Sequence, residues 1–149
     1  MRLELPQTFK YLDTIAKKAV KEGFVLLTDR TKNRRWFPDA IDAIKTKSEL
    51  TFGKKNAVGR EAKNAPIQAT NAYIIKEAIV RIYKEYIEPN KIDANLLMSV
   101  HDELVYRFPE DLTEFPDKIA WYLTDTSKSY LKNGLEIGSA SHIDNTWYK

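Results

Sequence analysis

Apolar side chains at Phe9, Leu12, Ile15, Ala16, Ala19 and Val20 recur every three or four positions. That spacing predicts an amphipathic helix over residues 8–22, with Thr8 as its N-cap and Gly23 as a left-handed stop. Residues 24–28 form a short apolar run of β character. Residues 29–34 are polar and turn-rich, Arg35-Trp36-Phe37 reads as a returning strand, and Pro38 closes it, so a hairpin is expected. Residues 39–55 support either a helix or a loop. Ile41, Ile44 and Leu50 give weak helical spacing, whereas Gly53 and the lysines favour a solvated loop. From Val58 the pattern tightens, and Ile67, Ala72, Ile75, Ile79, Ile82, Tyr83 and Tyr86 predict one long apolar face. Pro66 marks a start or a kink there, and Pro89-Asn90 an end.

Two strand-like runs follow, 95–100 and 103–108, flanking His101-Asp102. Alternation predicts that Leu96, Met98 and Val100 share one face of the first strand, and Leu104, Tyr106 and Phe108 one face of the second. His-Asp is not the usual pair for a tight hairpin turn. Phe115, Ile119, Tyr122, Leu123 and Tyr130 mark another helix, with Pro116 acceptable in its first turn, and 135–138 reads as a last strand. No repeat, low-complexity stretch or linker interrupts residues 1–149, so a single α+β domain is expected.

Composition narrows the class. Of 149 residues 43% are hydrophobic and 30% charged, enough apolar surface for a core and unlike a disordered chain. With no cysteine, disulfides and Cys-based zinc sites are excluded. No apolar run approaches the roughly 20 residues of a membrane span. Met1-Arg2-Leu3-Glu4-Leu5-Pro6 does not read as a signal peptide. The net charge of +3 is compatible with a polyanionic partner without demanding one.

Three groups could carry chemistry. His101-Asp102-Glu103 sets adjacent acids between two apolar strands, where carboxylates at a sheet tip could hold a hard cation such as Mg²⁺; a solvated polar turn fits the triplet as well. Arg60, Asn64 and Gln68 stand at i, i+4 and i+8, so on a helix they form one stripe of hydrogen-bond donors. Every base pair offers acceptors in the DNA minor groove, which such a stripe could test without reading sequence; it also fits an ordinary solvated helix face. The basic loop Arg30-Thr31-Lys32-Asn33-Arg34-Arg35-Trp36 could pair with phosphates, or could be a charged tip that deters edge aggregation. His101 and His142 lack the close spacing of a zinc pair, and no phosphate loop or nucleophile elbow is present.

Taken in order, these pieces carry a resemblance. Gly59-Arg60-Glu61-Ala62-Lys63-Asn64-Ala65-Pro66-Ile67-Gln68-Ala69-Thr70-Asn71-Ala72-Tyr73-Ile74-Ile75-Lys76 resembles the segment of family A DNA polymerases that reads roughly R-x-x-x-N-x-P-I-Q-G-T-x-A-D-I-I-K. Further on, Met98-Ser99-Val100-His101-Asp102-Glu103-Leu104-Val105 looks like that family's motif C. Gly23-Phe24-Val25 and Arg34-Arg35-Trp36-Phe37-Pro38-Asp39 are similar to the hairpin before the helix, and Leu135-Glu136-Ile137-Gly138 with Trp147 to its C-terminal end. Ala69 stands where the family usually has Gly and Tyr73 where it usually has Asp, and Asn71 is unusual, which suggests a divergent, phage-like branch.

The resemblance implies part of a polymerase palm, antiparallel hairpins packed on long helices, acting in nucleotidyl transfer. By it, Asp102 is a metal-ligating carboxylate, Glu103 a secondary acid beside it, and His101 a neighbour of the primer terminus. Arg60, Asn64 and Gln68 touch the minor-groove side of the nascent duplex. Mg²⁺, primer-template DNA and a deoxynucleotide are the implied ligands, and the cytoplasm of a bacterial or phage-infected cell the implied place. The family's motif A aspartate and its fingers helix have no equivalent in these residues. The chain alone is therefore expected to be inactive, as a split subunit or fragment completed by a second polypeptide carrying motif A and fingers. An open strand edge is expected where the motif A strand would pair, inviting that partner or self-association. The alternative is a non-catalytic palm-like module that binds DNA or protein.

Overall fold

Pro6 fixes the backbone of the first turn of helix α1 (Pro6–Glu22), which starts two residues before the expected Thr8 cap. Leu5 occupies the N-cap and makes no side-chain bond, so Thr8 lies inside the helix. The stop is as expected: Gly23 has φ 76° and its amide donates to the Ala19 carbonyl at 2.9 Å. A Cβ at Gly23 would lie 2.7 Å from Ile41 Cγ1, so both the backbone and the space require glycine.

The computed structural model describes residues 5–145, which divide into two units at Thr70/Asn71. In the first, strands β1 (Phe24–Leu26) and β2 (Arg34–Trp36) pair antiparallel as the expected hairpin. The ambiguous stretch after Pro38 is helical: α2 (Pro38–Thr46) ends at Lys47 in the left-handed region, φ 52°. Helix α3 (Phe52–Arg81) begins six residues before Val58 and carries Pro66 in its interior, so Pro66 is not a start. Ala19, Val25, Phe37, Ala40, Val58 and Ala62 form the core of this unit.

The second unit begins with the last turns of α3. A π-helical segment (Ile82–Ile87) and a short helix α4 (Glu88–Asn90) follow without a break. Pro89 has no N–H to donate and its ring crowds the carbonyl four residues back, so a widened turn accommodates it. Strands β3 (Asn95–Val100) and β4 (Glu103–Arg107) form the second hairpin, and helix α5 (Phe115–Lys128) follows with Pro116 in its first turn. Ala78, Ile82, Tyr86, Ile87, Ala94, Phe115, Ile119 and Tyr122 make the core. The expected apolar face of α3 is corrected by this packing. Ile74, Ile75, Ala78 and Ile82 are buried, whereas Ile67, Ala72 and Tyr83 are exposed.

Arg81 ties α3 to α5, donating to Asp125 at 3.1 Å and to Thr126 Oγ1 at 2.9 Å. No strand forms at 135–138, contrary to expectation. The Ile137 amide instead donates to Ser127 Oγ at 2.8 Å, and Ser139 Oγ to the Ala120 carbonyl at 2.6 Å, so the segment is held by α5 side chains and carbonyls. Trp147 lies outside the described residues. No described helix is long and apolar enough to cross a membrane.

Candidate functional site

The acidic turn sits at the tip of the β3–β4 hairpin. Val100 pairs with Glu103, leaving His101 and Asp102 as the two turn residues. His101 takes φ 55°, a left-handed conformation that a non-glycine residue adopts at a cost. Asp102 and Glu103 are both exposed.

Anchoring comes from the other end of β4. Leu104, Tyr106 and Phe108 pack against the core, as alternation predicts. The Phe108 ring stacks on Phe115 at 4.8 Å, and Tyr106 meets Phe115 edge-on at 5.6 Å. Burial pushes the Tyr106 hydroxyl up to about 12, so it stays neutral through the physiological range. β3 departs from simple alternation. Leu96 pairs with Tyr106 and Met98 with Val105, so Leu97 is an extra residue, a β-bulge. Opposed residues share a face, so Leu96 lies on the Tyr106 side and Met98 on the Val105 side. The expectation that Leu96 and Met98 share a face fails at that one inserted residue.

Each hairpin is a two-stranded sheet, so β3 and β4 each have one paired edge among the described residues. β3 exposes Leu96, Leu97 and Met98, with Leu97 58% accessible. The expectation of an open edge on 95–100 or 103–108 bears on the second edge of either strand, which has no strand partner among the described residues.

Asp102 and Glu103 offer carboxylate oxygens of the kind Mg²⁺ accepts, and in number they suit an ion that takes one or two carboxylates and completes its shell with waters and phosphates. Among the described residues no group of three acidic or histidine side chains converges that could hold a metal by itself. A cation at this turn would need ligands beyond Asp102 and Glu103.

The donor stripe belongs to the first unit. Arg60, Asn64 and Gln68 all lie on α3 and all are exposed, with exposed Ile67 and Asn71 on the same arc of the helix. Buried Val58 and Ala62 hold the opposite side in the core. Thr70 Oγ1 donates to the Pro66 carbonyl at 2.8 Å just past the stripe.

The basic loop is more ordered than its composition implies. Thr28 and Thr31 hydroxyls lie 2.8 Å apart, the Thr31 amide donates to Thr28 Oγ1, and the Leu27 amide to the Asn33 carbonyl at 2.8 Å. Phe24 pairs directly with Trp36, with ring centroids 5.1 Å apart, and the Arg34 guanidinium lies 4.5 Å from the Phe24 centroid. Sequence reading treated this stretch as charge alone and missed the ring cluster. The Phe24–Trp36 pairing depends on the hairpin register, which the sequence pattern does not specify.

With this geometry in view, the similarities are informative. The model of DNA polymerase family A matches residues 3–148. DNA polymerase I of Bacillus caldotenax is 26% identical over 143 residues, covering 96% of this chain and 15% of that protein. DNA polymerase I of Synechocystis sp. is 29% identical over 152 aligned positions, covering 95% and 15%. The POL domain of Pol1 from M. smegmatis, solved in complex with DNA primer-template and dNTP, superposes with a TM-score of 0.64 at 26% identity, over 78% of this chain and 19% of that one. The chain thus spans about a seventh of the length of these curated relatives.

Proposed function

Because the chain belongs to DNA polymerase family A, we propose that residues 1–149 are one palm-like C-terminal segment of a DNA-directed DNA polymerase that contributes a metal-binding carboxylate and minor-groove contacts to nucleotidyl transfer. The observation that carries the reading is the exposed Asp102-Glu103 pair at the tip of a hairpin whose base is fixed to the core by Phe108 and Phe115. An acidic turn on a rigid strand is a suitable place to hold a cation against a phosphate chain.

In this reading Asp102 holds Mg²⁺ and Glu103 supports it. Held there, Mg²⁺ would supply positive charge that stabilises the oxygens of the transfer. The primer 3′-hydroxyl gives its proton to solvent water as its oxygen bonds to the α-phosphorus of a deoxynucleotide, and the bond from that phosphorus to the bridging oxygen breaks, releasing pyrophosphate. His101 sits beside the primer terminus. Arg60, Asn64 and Gln68 hold the duplex by acceptors common to all base pairs. The second principal carboxylate and the grip on the triphosphate come from sequence outside these residues, on the same polypeptide or on another chain. The exposed edge of β3 is where a strand from that sequence, or from a second copy, would add. The work belongs in the cytoplasm of a bacterial or phage-infected cell.

Primer extension with Mg²⁺ tests this, using the chain alone and mixed with a polypeptide carrying motif A and fingers. Activity only in the mixture, abolished by Asp102→Ala, is the expected result. Extension by the isolated chain would overturn the incomplete site, and an active Asp102→Ala mixture would remove Asp102 from it. Duplex binding without any extension would leave the alternative, a non-catalytic palm-like module; the exposed donor stripe is what favours it.

A further inference from the structure

The outer face of the β1–β2 hairpin is a ring platform flanked by cations. In this register Phe24, Trp36, Leu26 and Arg34 share one face, while Val25 turns the other way into the core. Trp36 pairs with Phe24 yet remains 51% exposed, an unusual place for so large an apolar surface. The Arg34 guanidinium lies over both rings, 4.5 Å from Phe24 and 5.6 Å from Trp36. Between positions 28 and 36 the chain carries Arg30, Lys32, Arg34 and Arg35 against one acid, Asp29. Arg30 and Lys32 are exposed on the loop, whose own hydrogen bonds hold it in shape.

We propose that this face binds single-stranded nucleic acid, with a base stacked on Trp36 beside Arg34 and a flanking phosphate met by Lys32. Arg35 opposes Val25 on the other face and pairs with Glu61 at 3.4 Å, so Arg34 and the loop Lys32 are the cations of this platform. A bare cationic loop needs no ring platform, and an apolar protein partner would not call for cations beside one. Stacking on an aromatic and pairing with cations together match the chemistry of an unpaired strand, whose bases are free to lie on a ring. The site is separate from the donor stripe in the duplex reading, and it rests on that reading only for the presence of nucleic acid.

The full chain is titrated with fluorescently labelled oligo(dT) and, separately, with a blunt duplex, and anisotropy is read at low and moderate salt. The expected result is single-strand binding that weakens with salt. Trp36→Ala and, separately, Arg34→Gln should each weaken it on the order of tenfold while leaving duplex binding unchanged. Lys32→Gln, on the exposed loop away from the ring contacts, provides a variant that does not disturb the Phe24 contact; it should lower oligo(dT) affinity and flatten the salt dependence. Arg60→Ala and Gln68→Ala should do the reverse, weakening the duplex and sparing the single strand. Oligo(dT) binding that survives in all three hairpin variants would overturn the proposal. So would a wild-type chain that binds no single strand, or one that self-associates through Trp36 instead. If only the duplex arm fails, the stripe reading falls and the hairpin proposal stands.

Discussion

The rings of Phe108 and Phe115 stack 4.8 Å apart and 26° from parallel, joining the chain just past β4 to the first residue of α5. Phe115 is 1% exposed and also contacts Tyr86 and Tyr106. Phe115→Ala should therefore cost about 3–5 kcal/mol in chemical denaturation. Asp102→Ala, at the exposed tip of the same hairpin, should change stability by less than about 0.5 kcal/mol. A loss under about 1 kcal/mol for Phe115→Ala would mean the hairpin is not held by this stack.

Gly23 joins α1 to β1 in a left-handed conformation against Ile41. Gly23→Ala should destabilise the chain by about 2 kcal/mol, from backbone strain plus the displaced Ile41 side chain. Gly53→Ala, where a Cβ meets nothing within 4 Å inside α3, should be neutral or stabilising by up to about 1 kcal/mol. Thermal melts of the two variants should move in opposite directions or differ sharply in size.

Burial of Tyr106 makes stability fall in strong alkali. Its folded pKa, about 12, lies above the ordinary 10.0, so the folded state holds the phenolic proton more tightly. That contribution is fully present below pH 10 and is lost as pH rises through 12. Denaturation curves between those limits should show a decline that Tyr106→Phe reduces. An equal decline in the variant would place the effect elsewhere.

On the duplex reading, Arg60→Ala should weaken binding of a primer-template duplex about tenfold, and Asn64→Ala and Gln68→Ala by less, since they carry no charge. Changing the duplex sequence should leave each ratio unaltered, because minor-groove acceptors are shared by all pairs. Anisotropy titrations on two unrelated duplexes check both points. A strong sequence dependence would contradict the assigned contacts.

Periodicity recovered what rests on local pattern: α1 and its glycine stop, both hairpins, and the β4 face bearing Leu104, Tyr106 and Phe108. It failed where one residue or one partner changes the count. The Leu97 bulge put Leu96 and Met98 on different faces. Lys47 ends α2 in a left-handed conformation that no local sequence rule marks. Ile137 bonds to Ser127 instead of joining a sheet, a choice visible only once α5 is in place. Of the candidate sites, helical spacing foresaw that Arg60, Asn64 and Gln68 share a solvated face. The Trp36 platform was hidden because it depends on which residues face each other across the hairpin.

The π-helical segment Ile82–Ile87 reaches beyond its own packing. A ring closed from residue i to i−5 holds one residue more than an α-helical ring, as the Glu88 amide to the Tyr83 carbonyl illustrates. A homologue that runs straight α-helix through this stretch would be one residue shorter between Gln68 and Asp102. Any alignment that forbids a gap there would slide the residues around Gln68 and those around Asp102 out of correspondence. Deleting one residue from 82–87 should likewise restore a regular helix while leaving Ala78 before it and Ala94 after it facing the same core.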